Sequence, residues 1–238
     1  MKIYSLMLAS LLGTSVVNAA HWGYGEHNGP HKWGAHYPQC NGKEQSPINI
    51  LTKTARSTTN ALKVAYKADS KNIINNGHSV QVNFTQKGGI SYQGKDYKLV
   101  QLHFHTPSEN TIDNVVYPLE MHLVHSNAEG GLLVIGVLFE EGRANAELQK
   151  IIVNAPAKSG GNNKLTKLNP QKLLPKTLAY YAFDGSLTTP PCSQNVQWVV
   201  LQGVLSASKR QIDVLHRIMH DNSRDVQPLN GREIQSAQ

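Results

Sequence analysis

Three histidines are spaced in a way that could hold a metal ion. His103 and His105 lie two residues apart in the segment 99–105, which has the composition of a β-strand. Side chains two residues apart on a strand point to the same face, so both imidazoles would project together while Phe104 enters the core. His122 lies in the next predicted strand, and its imidazole joins the first two if these strands pair.

Three neutral imidazoles are the ligand set of a catalytic zinc site. Such sites bind zinc through three protein ligands, at about 2.0–2.1 Å for histidine nitrogen, and keep the fourth position open for water. Neutral ligands leave the full charge of the ion to act on that water, which then ionises far more readily than bulk water. The product is a hydroxide that can attack an electrophilic carbon.

Two further residues could orient these imidazoles from behind. Gln101 shares the strand face of His103, and Glu120 shares the face of His122. Metal-bound histidines usually donate their second ring N–H to such a partner. The alternative for Glu120 is an exposed charge on an edge strand. His125 has the opposite parity to His122 and is predicted to be a hydrogen-bonded core histidine.

The His-x-His pair has other interpretations. By itself it fits a histidine-rich strand face equally well. Together with Glu109 it also matches part of a cupin metal motif. However, Tyr97 and Val116 stand where that motif requires glycine, and no second cupin motif follows. The context therefore disfavours a cupin.

The elements that must position these residues are mainly strands. Alternating or apolar segments predict strands at 79–84, 99–105, 119–125, 132–139 and 196–201. The almost wholly apolar segment 132–139 is expected in the middle of a sheet, and Gly88-Gly89 is interpreted as a turn. Helical spacing is confined to 145–153 and 208–219. No composition shift marks a boundary, so we expect a single mainly β domain with short peripheral helices.

The first residues resemble a secretory signal peptide. Lys2 provides the positive start, residues 3–12 are mostly apolar, and Val17-Asn18-Ala19 fits the cleavage pattern, with cleavage after Ala19 or Ala20. The apolar stretch is too short for the alternative, an uncleaved membrane anchor, and no later segment is long enough to span. We expect a signal peptide at 1–19, a mature domain at 20–238, and export to the periplasm in preference to the extracellular medium.

Charge and cysteine content narrow the function classes. The formal net charge is +7, but the basic residues are scattered, whereas nucleic-acid binding requires clustered charge. The only two cysteines, Cys40 and Cys192, would meet in an oxidising compartment after export. A disulfide is therefore favoured over two free buried thiols.

At this point the sequence resembles the α-carbonic anhydrase family, over nearly all of the predicted mature chain. The resemblance depends on six motifs that occur in order and at matching spacings: Trp22–Gly25, Gln45–Ile50, Asn76–His78, Gln101–His105, Glu120–His125 and Gly185–Pro191. The short segment after His105 is similar to the bacterial branch. Cys40 and Cys192 match the disulfide of secreted members.

The resemblance implies a fold, a reaction and ligands. The fold would be a large, mostly antiparallel twisted sheet of about ten strands, with zinc at the base of a cone-shaped cleft. The reaction would be the reversible hydration of carbon dioxide to bicarbonate and a proton, through attack by zinc-bound hydroxide. Sulfonamides and small anions would inhibit it. Bacterial relatives suggest a homodimer, by analogy only.

The resemblance also implies residue roles. His103, His105 and His122 match the zinc ligands, and Gln101 and Glu120 match the residues behind them. Thr188 matches the residue that accepts a hydrogen bond from the hydroxide and donates its own proton to a carboxylate, here Glu109. Since a carboxylate only accepts, the Thr188 oxygen is left as an acceptor toward the metal. The apolar substrate pocket corresponds to Val124, Val134, Leu187, Val196 and Trp198.

Proton transfer is assigned in the same way. His78 matches the family's proton shuttle, for which a histidine is suited because its ordinary pKa lies near neutrality. Tyr24 and Asn76 match residues that hold the intervening water, and Thr189 matches a neighbour that orders water in the cleft.

Two other functions remain open. The first is a related binding protein without hydratase activity, which is disfavoured because all three histidines are present. The second is a zinc esterase, expected at most as a side activity.

Overall fold

The computed structural model describes residues 22–67 and 70–238, so the predicted signal peptide lies outside the described residues. No helix in the described part is long and apolar enough to cross a membrane. Residues 22–67 and 70–238 contain three α-helices: α1 (Pro30–His36), α2 (Ala146–Asn154) and α3 (Lys209–Met219). Short 3-10 helices occupy Pro38–Asn41, Thr52–Thr54 and Pro170–Leu173.

Strands make up most of the regular structure. In chain order they are β1 (Asn49–Ile50), β2 (Arg56–Ser57), β3 (Lys63–Tyr66), β4 (Ser70–Asn75), β5 (Val80–Phe84), β6 (Gly88–Tyr92), β7 (Lys95–His105), β8 (Thr111–Ile112), β9 (Leu119–Ser126), β10 (Leu132–Glu141), β11 (Asn162–Lys164), β12 (Tyr180–Ser186), β13 (Gln194–Leu201), β14 (Leu205–Ala207) and β15 (Gln235–Ala237). The five predicted strands are all present; four are longer at one end, and β5 begins one residue later than predicted.

Thirteen of the described strands form one sheet in the order β11-β4-β5-β7-β9-β10-β13-β12-β15-β2, with β3, β6 and β14 off this path. Most neighbours are antiparallel, but β10 pairs in parallel with β13 and β14, and β15 with β2. The sheet is therefore mixed, and it has more strands than the ten expected. The additional ones are short pieces of two or three residues, which have too few residues to show a sequence period.

The predicted turn at Gly88-Gly89 is wrong, because both glycines lie in β6. A Cβ atom on Gly89 would lie 1.9 Å from the carbonyl oxygen of Tyr97 on the neighbouring strand. Glycine is needed here for close approach of two strands, which sequence alone does not distinguish from a turn. The chain reverses instead at Gln93-Gly94, where both residues have positive φ, as a tight hairpin requires.

The sheet separates two apolar clusters. The larger cluster includes Phe104 and the buried faces of α2 and α3, with Leu148 and Leu215 fully buried. The smaller cluster lies on the side of the histidines and contains Val134 and Trp198. As predicted, β10 lies inside the sheet, and its residues 133–139 are all buried. The histidines of β7 and β9 therefore lie on an otherwise apolar face of the central sheet.

Candidate metal centre

Strand pairing brings the three histidines together. His103 on β7 lies directly opposite His122 on β9, and His105 follows on the same face of β7. The ring centres are 5.0 Å apart for His103 and His105, 5.2 Å for His103 and His122, and 4.5 Å for His105 and His122. One ligand atom from each residue lies within 4.8 Å of the others. The predicted convergence is confirmed.

The chemistry of these donors fits a bound cation. Burial lowers the pKa of all three imidazoles, so they are neutral and can donate a lone pair. Nε2 of His105 is buried and has no hydrogen-bond partner. An unsatisfied buried nitrogen is costly unless something occupies the space in front of it. In the part of the chain that the structure describes, this is the one group of three residues close enough to share a metal ion.

Each imidazole is held from behind by an oxygen. Nδ1 of His103 lies 2.8 Å from Oε1 of Gln101, and Nδ1 of His105 lies 2.8 Å from the carbonyl oxygen of Asn222. Nε2 of His122 lies 3.0 Å from Oε1 of Glu120, off the direction of an aligned hydrogen bond. These contacts leave Nε2 of His103 and His105 and Nδ1 of His122 for a metal ion.

Glu120 is buried inside the sheet, which excludes the alternative of an exposed charge on an edge strand. Its Oε2 accepts the backbone N–H groups of Glu109 and Asn110, and its Oε1 accepts Nδ2 of Asn110, each at 2.8 Å. Burial raises the pKa of Glu120, and the hydrogen bonds from Asn110 oppose that shift. Gly136 leaves room for this carboxylate, since a Cβ there would lie 2.9 Å from Oε1.

Asn222 is a residue of the site that the sequence analysis missed. Besides the carbonyl contact to His105, its side-chain Oδ1 accepts the backbone N–H of Thr106, and Nδ2 donates to the carbonyls of Phe104 and His78. It lies more than a hundred residues from all of them, in an irregular segment. No periodicity or motif marks it, so sequence offered no signal.

Glu109 is the second buried carboxylate of the centre. Its Oε1 accepts the backbone N–H of Arg224 at 3.0 Å and lies 3.4 Å from Nδ1 of His105. Burial raises the pKa of Glu109 well above its ordinary value, while hydrogen bonds from Thr188 and Arg224 act in the opposite direction. The structure therefore brings Thr188 and Glu109 together beside the histidines.

An apolar wall adjoins the histidines. Cross-strand partners place Val124, Val134 and Trp198 in one row across β9, β10 and β13. The Trp198 ring meets His122 edge-on, with centres 4.8 Å apart, and its indole N–H donates to the carbonyl of Ser186. The other two residues of the predicted pocket, Val196 and Leu187, pack in the same cluster.

A polar wall lies on the other side of His103. Gln81 is the cross-strand partner of His103, so both side chains face the same way. A chain of side-chain amides continues from it: Asn76 donates to Gln81, Gln81 to Asn83, and Asn83 to Asn72, at 3.3, 2.7 and 3.1 Å. This wall is uncharged along these residues and can hydrogen-bond water.

The predicted shuttle residue lies at the end of the polar wall. His78 stacks on Trp22, with ring centres 3.7 Å apart and planes 11° from parallel. Oδ1 of Asn76 accepts the backbone N–H groups of His78 and Ser79, which shapes the turn. Tyr24 packs edge-on against Trp22, and burial raises its pKa far above the ordinary value. The role of Trp22 as a stacking partner was not predicted.

The loop after β12 is tied to the N-terminal part of the chain. Cys40 and Cys192 form the predicted disulfide. Thr189 is half-buried, and its carbonyl accepts the backbone N–H of Cys192 at 2.9 Å. Ser46 and Ser186 exchange hydrogen bonds, each hydroxyl accepting the backbone N–H of the other, at 2.9 and 3.1 Å. These links hold the segment that carries Thr188.

Comparison with known proteins agrees with this geometry. Residues 28–238 match the family described as eukaryotic-type carbonic anhydrase. A carbonic anhydrase of Pectobacterium carotovorum is 41% identical over 236 residues, covering 97% of this chain and 96% of the relative. One from Klebsiella pneumoniae is 42% identical over 242 residues, covering 97% and 98%. The structure of the α-carbonic anhydrase of Thermovibrio ammonificans in complex with the inhibitor sulfanilamide superposes with a TM-score of 0.89 at 41% identity, covering 91% of this chain and 99% of that one.

Proposed function

The chain belongs to the eukaryotic-type carbonic anhydrase family, and on that premise we propose that His103, His105 and His122 hold a zinc ion. The protein is a carbonic anhydrase, a lyase that interconverts carbon dioxide and bicarbonate. The observation that carries the proposal is the convergence of three neutral imidazoles, two buried and one half-buried, whose ligand atoms lie within 4.8 Å of one another. When bound, zinc would lower the pKa of a water molecule in its open position to about 7, a value known for carbonic anhydrase itself.

Thr188 and Glu109 orient the nucleophilic oxygen. The buried Glu109 carboxylate accepts the backbone N–H of Arg224, its Oε2 is otherwise unpartnered, and Thr188 is the hydroxyl that would donate to it. A threonine that donates its proton to a carboxylate can only accept on its other side. Thr188 therefore favours an oxygen that still carries a hydrogen, and it directs the remaining lone pair of that oxygen toward the substrate.

The apolar wall receives carbon dioxide. Val124, Val134 and Trp198 form a continuous apolar row beside His122, and Val196 and Leu187 complete it. Carbon dioxide carries no net charge, and an apolar surface holds it without competing for the polar groups of the centre. Bicarbonate is charged, so this wall disfavours retention of the product.

His78 carries the proton to solvent. Unaided loss of a proton from a group of pKa about 7 is limited to roughly 10³ s⁻¹, from a diffusion ceiling of about 10¹⁰ M⁻¹s⁻¹. A histidine at the cleft rim removes this limit because it accepts the proton and passes it to buffer. Tyr24 and Asn76 support the water between the centre and His78, and Thr189 orders water near Thr188.

Further properties follow from the family. The disulfide indicates an oxidising compartment, and we propose the periplasm. Because the structure of the Thermovibrio relative is a complex with sulfanilamide, we also propose inhibition by sulfonamides and small anions.

A homodimer is proposed from bacterial relatives, with light scattering as its test. A weak esterase activity is expected, and comparing rates on carbon dioxide and a chromogenic ester would distinguish it from the main activity.

Metal analysis of the purified mature protein, combined with a carbon dioxide hydration assay, tests the proposal. We expect one zinc per chain, loss of activity when the zinc is removed by a chelator, and recovery when zinc is returned. Stoichiometric binding of a different metal, or full hydration activity after complete removal of zinc, would contradict it.

A further inference from the structure

An arginine near the end of the chain is buried and connects several segments. Arg224 is only 4% exposed. Its guanidinium donates to Oε1 of Gln45 at 2.8 Å, to the carbonyl of Ser46 at 2.9 Å and to the carbonyl of Cys40 at 3.1 Å. It also lies over the ring of Trp33, with Cζ 5.7 Å from the ring centre. Charged hydrogen bonds of this kind are strong, and together they hold the backbone at Arg224 in one position.

The backbone around Arg224 reaches the metal centre at two points. Residues 220–227, here named the C-terminal strap, follow α3 without regular secondary structure. The backbone N–H of Arg224 donates to Glu109, and the carbonyl of Asn222 accepts Nδ1 of His105. One irregular segment therefore orients both a metal-facing imidazole and the carboxylate that accepts from Thr188.

We propose that Arg224 is a positioning residue for the hydration reaction: its guanidinium fixes the C-terminal strap, and the strap orients Glu109 and His105. The proposal rests on the roles proposed above for those two residues. Arg224 touches neither substrate nor metal, so its effect is indirect.

The contacts of the strap predict where the effect is largest. Asn222 has side-chain hydrogen bonds of its own to Thr106, Phe104 and His78. Its carbonyl is therefore held even when Arg224 is altered. The N–H that meets Glu109 belongs to Arg224 itself and moves directly with the anchor. Loss of the anchor should consequently reduce turnover more than it reduces metal retention.

The chemistry of the anchor requires an arginine. The three acceptors come from Cys40, Gln45 and Ser46, and the planar guanidinium reaches all of them at once. A lysine ammonium is a compact point charge that cannot reproduce this fork. Arg224→Lys therefore keeps the charge but loses most of the anchor.

Arg232 offers a matched control. Its guanidinium also binds three carbonyl oxygens of separate residues, those of Leu229, Asp184 and Pro228, at 2.8 to 2.9 Å. None of these residues contacts the histidines or Glu109 in the hydrogen bonds described above. Arg232→Lys thus removes a clamp with the same number of acceptors, though a more local and less buried one, without reaching the metal centre.

The test compares zinc-loaded wild type, Arg224→Lys and Arg232→Lys. For Arg224→Lys we expect kcat for carbon dioxide hydration to fall by about tenfold to a hundredfold with KM within about twofold, the range seen when partners of metal ligands are lost. Zinc should pass to an excess of chelator a few times faster. Arg232→Lys should lower the melting temperature and leave kcat and the zinc dissociation rate at the wild-type values.

A second pair of variants covers the case in which Arg224→Lys fails to fold. Gln45→Met removes one of the three acceptors of Arg224, while Gln45→Glu keeps an acceptor there. We expect a smaller loss of kcat for Gln45→Met and recovery in Gln45→Glu. If Arg224→Lys, or Gln45→Met in its place, had the same kcat and zinc dissociation rate as Arg232→Lys, the role of Arg224 would be overturned. A wild-type protein without zinc or hydration activity would instead contradict the proposed function.

Discussion

His122 and His125 lie three residues apart on β9 and point to opposite faces of the sheet. Both are buried, and burial lowers the pKa of both imidazoles. His125 has a partner for each ring nitrogen: Nδ1 donates to the carbonyl of Leu133 at 3.2 Å, and Nε2 accepts from the hydroxyl of Tyr66 at 2.7 Å. The histidines on the other face leave ring nitrogens turned toward one another. Burial and a lowered pKa are therefore shared, and the pattern of partners distinguishes a core histidine from a ligand.

The largest expected effect separates the two faces. His122→Ala, and likewise His103→Ala, should lose zinc and reduce carbon dioxide hydration to the uncatalysed background, because a catalytic zinc site needs all three ligands. His125→Ala should retain zinc and turnover. Zinc content after dialysis and initial hydration rates measure both. A His122→Ala protein with stoichiometric zinc and full turnover would remove the basis of the comparison.

The half-buried His78 gives the next largest expected effect. His78→Ala should slow turnover about tenfold to a hundredfold in dilute buffer, since proton transfer by a positioned side chain typically contributes at least that much. Zinc content should not change. Added imidazole should restore part of the rate by carrying the proton in place of His78. An unchanged rate in dilute buffer would exclude His78 as the principal shuttle.

Lowering the pH should reduce the stability of the folded protein through protonation of His125 on the core face. Its pKa is lowered to about 4 in the folded protein, against about 6.5 in an unfolded chain. The unfolded state therefore binds more protons between these values, and stability falls as the pH is lowered from about 6.5 toward 4. The contribution at pH 5 is about 2 kcal/mol.

A histidine replacement isolates that contribution. His125→Gln should show a smaller loss of unfolding free energy between pH 7 and pH 5 than the wild type, by roughly the same 2 kcal/mol. Both proteins are measured by denaturant unfolding without zinc, so that metal release does not enter the difference. Equal losses in the two proteins would show that His125 does not titrate as its surroundings indicate.

The smallest expected effect concerns the partner of His125. Tyr66→Phe removes the hydroxyl that donates to Nε2 of His125 and leaves that nitrogen unpaired. The unfolding free energy should fall by about 1 kcal/mol at neutral pH, while hydration activity remains unchanged. A loss of activity in Tyr66→Phe would mean that the two faces of β9 are coupled.

Local pattern was sufficient for five strands of the sheet and for one side of the centre. The alternation in β7 and β9 predicted that His103, His105 and Gln101 share a face and that Phe104 and His125 point away, and the structure agrees. The prediction failed at Gly88-Gly89, where a close approach between β6 and β7 requires glycine without a turn. Strands β4 and β12, of six and seven residues, were also not predicted, and the strands of two or three residues are too short to display a period.

The residues that complete the centre had no such signal. Asn110, Asn222 and Arg224 make some of the most buried hydrogen bonds around the histidines, yet all three lie outside the predicted strands and helices. Asn222 and Arg224 meet partners more than a hundred residues away, and Asn110 meets Glu120 from an irregular segment ten residues before it, so none of these contacts leaves a periodicity in the chain.

The sequence by itself determined which side chains project from each strand together, because the two-residue repeat of a β-strand depends on the backbone alone. It therefore determined the histidine face, whereas the register between β9, β10 and β13 formed the apolar row beside it. Only the tertiary structure decided how that face is enclosed. The C-terminal strap supplies a carbonyl and an N–H to the centre, and backbone groups carry no residue identity from which their partners could be inferred.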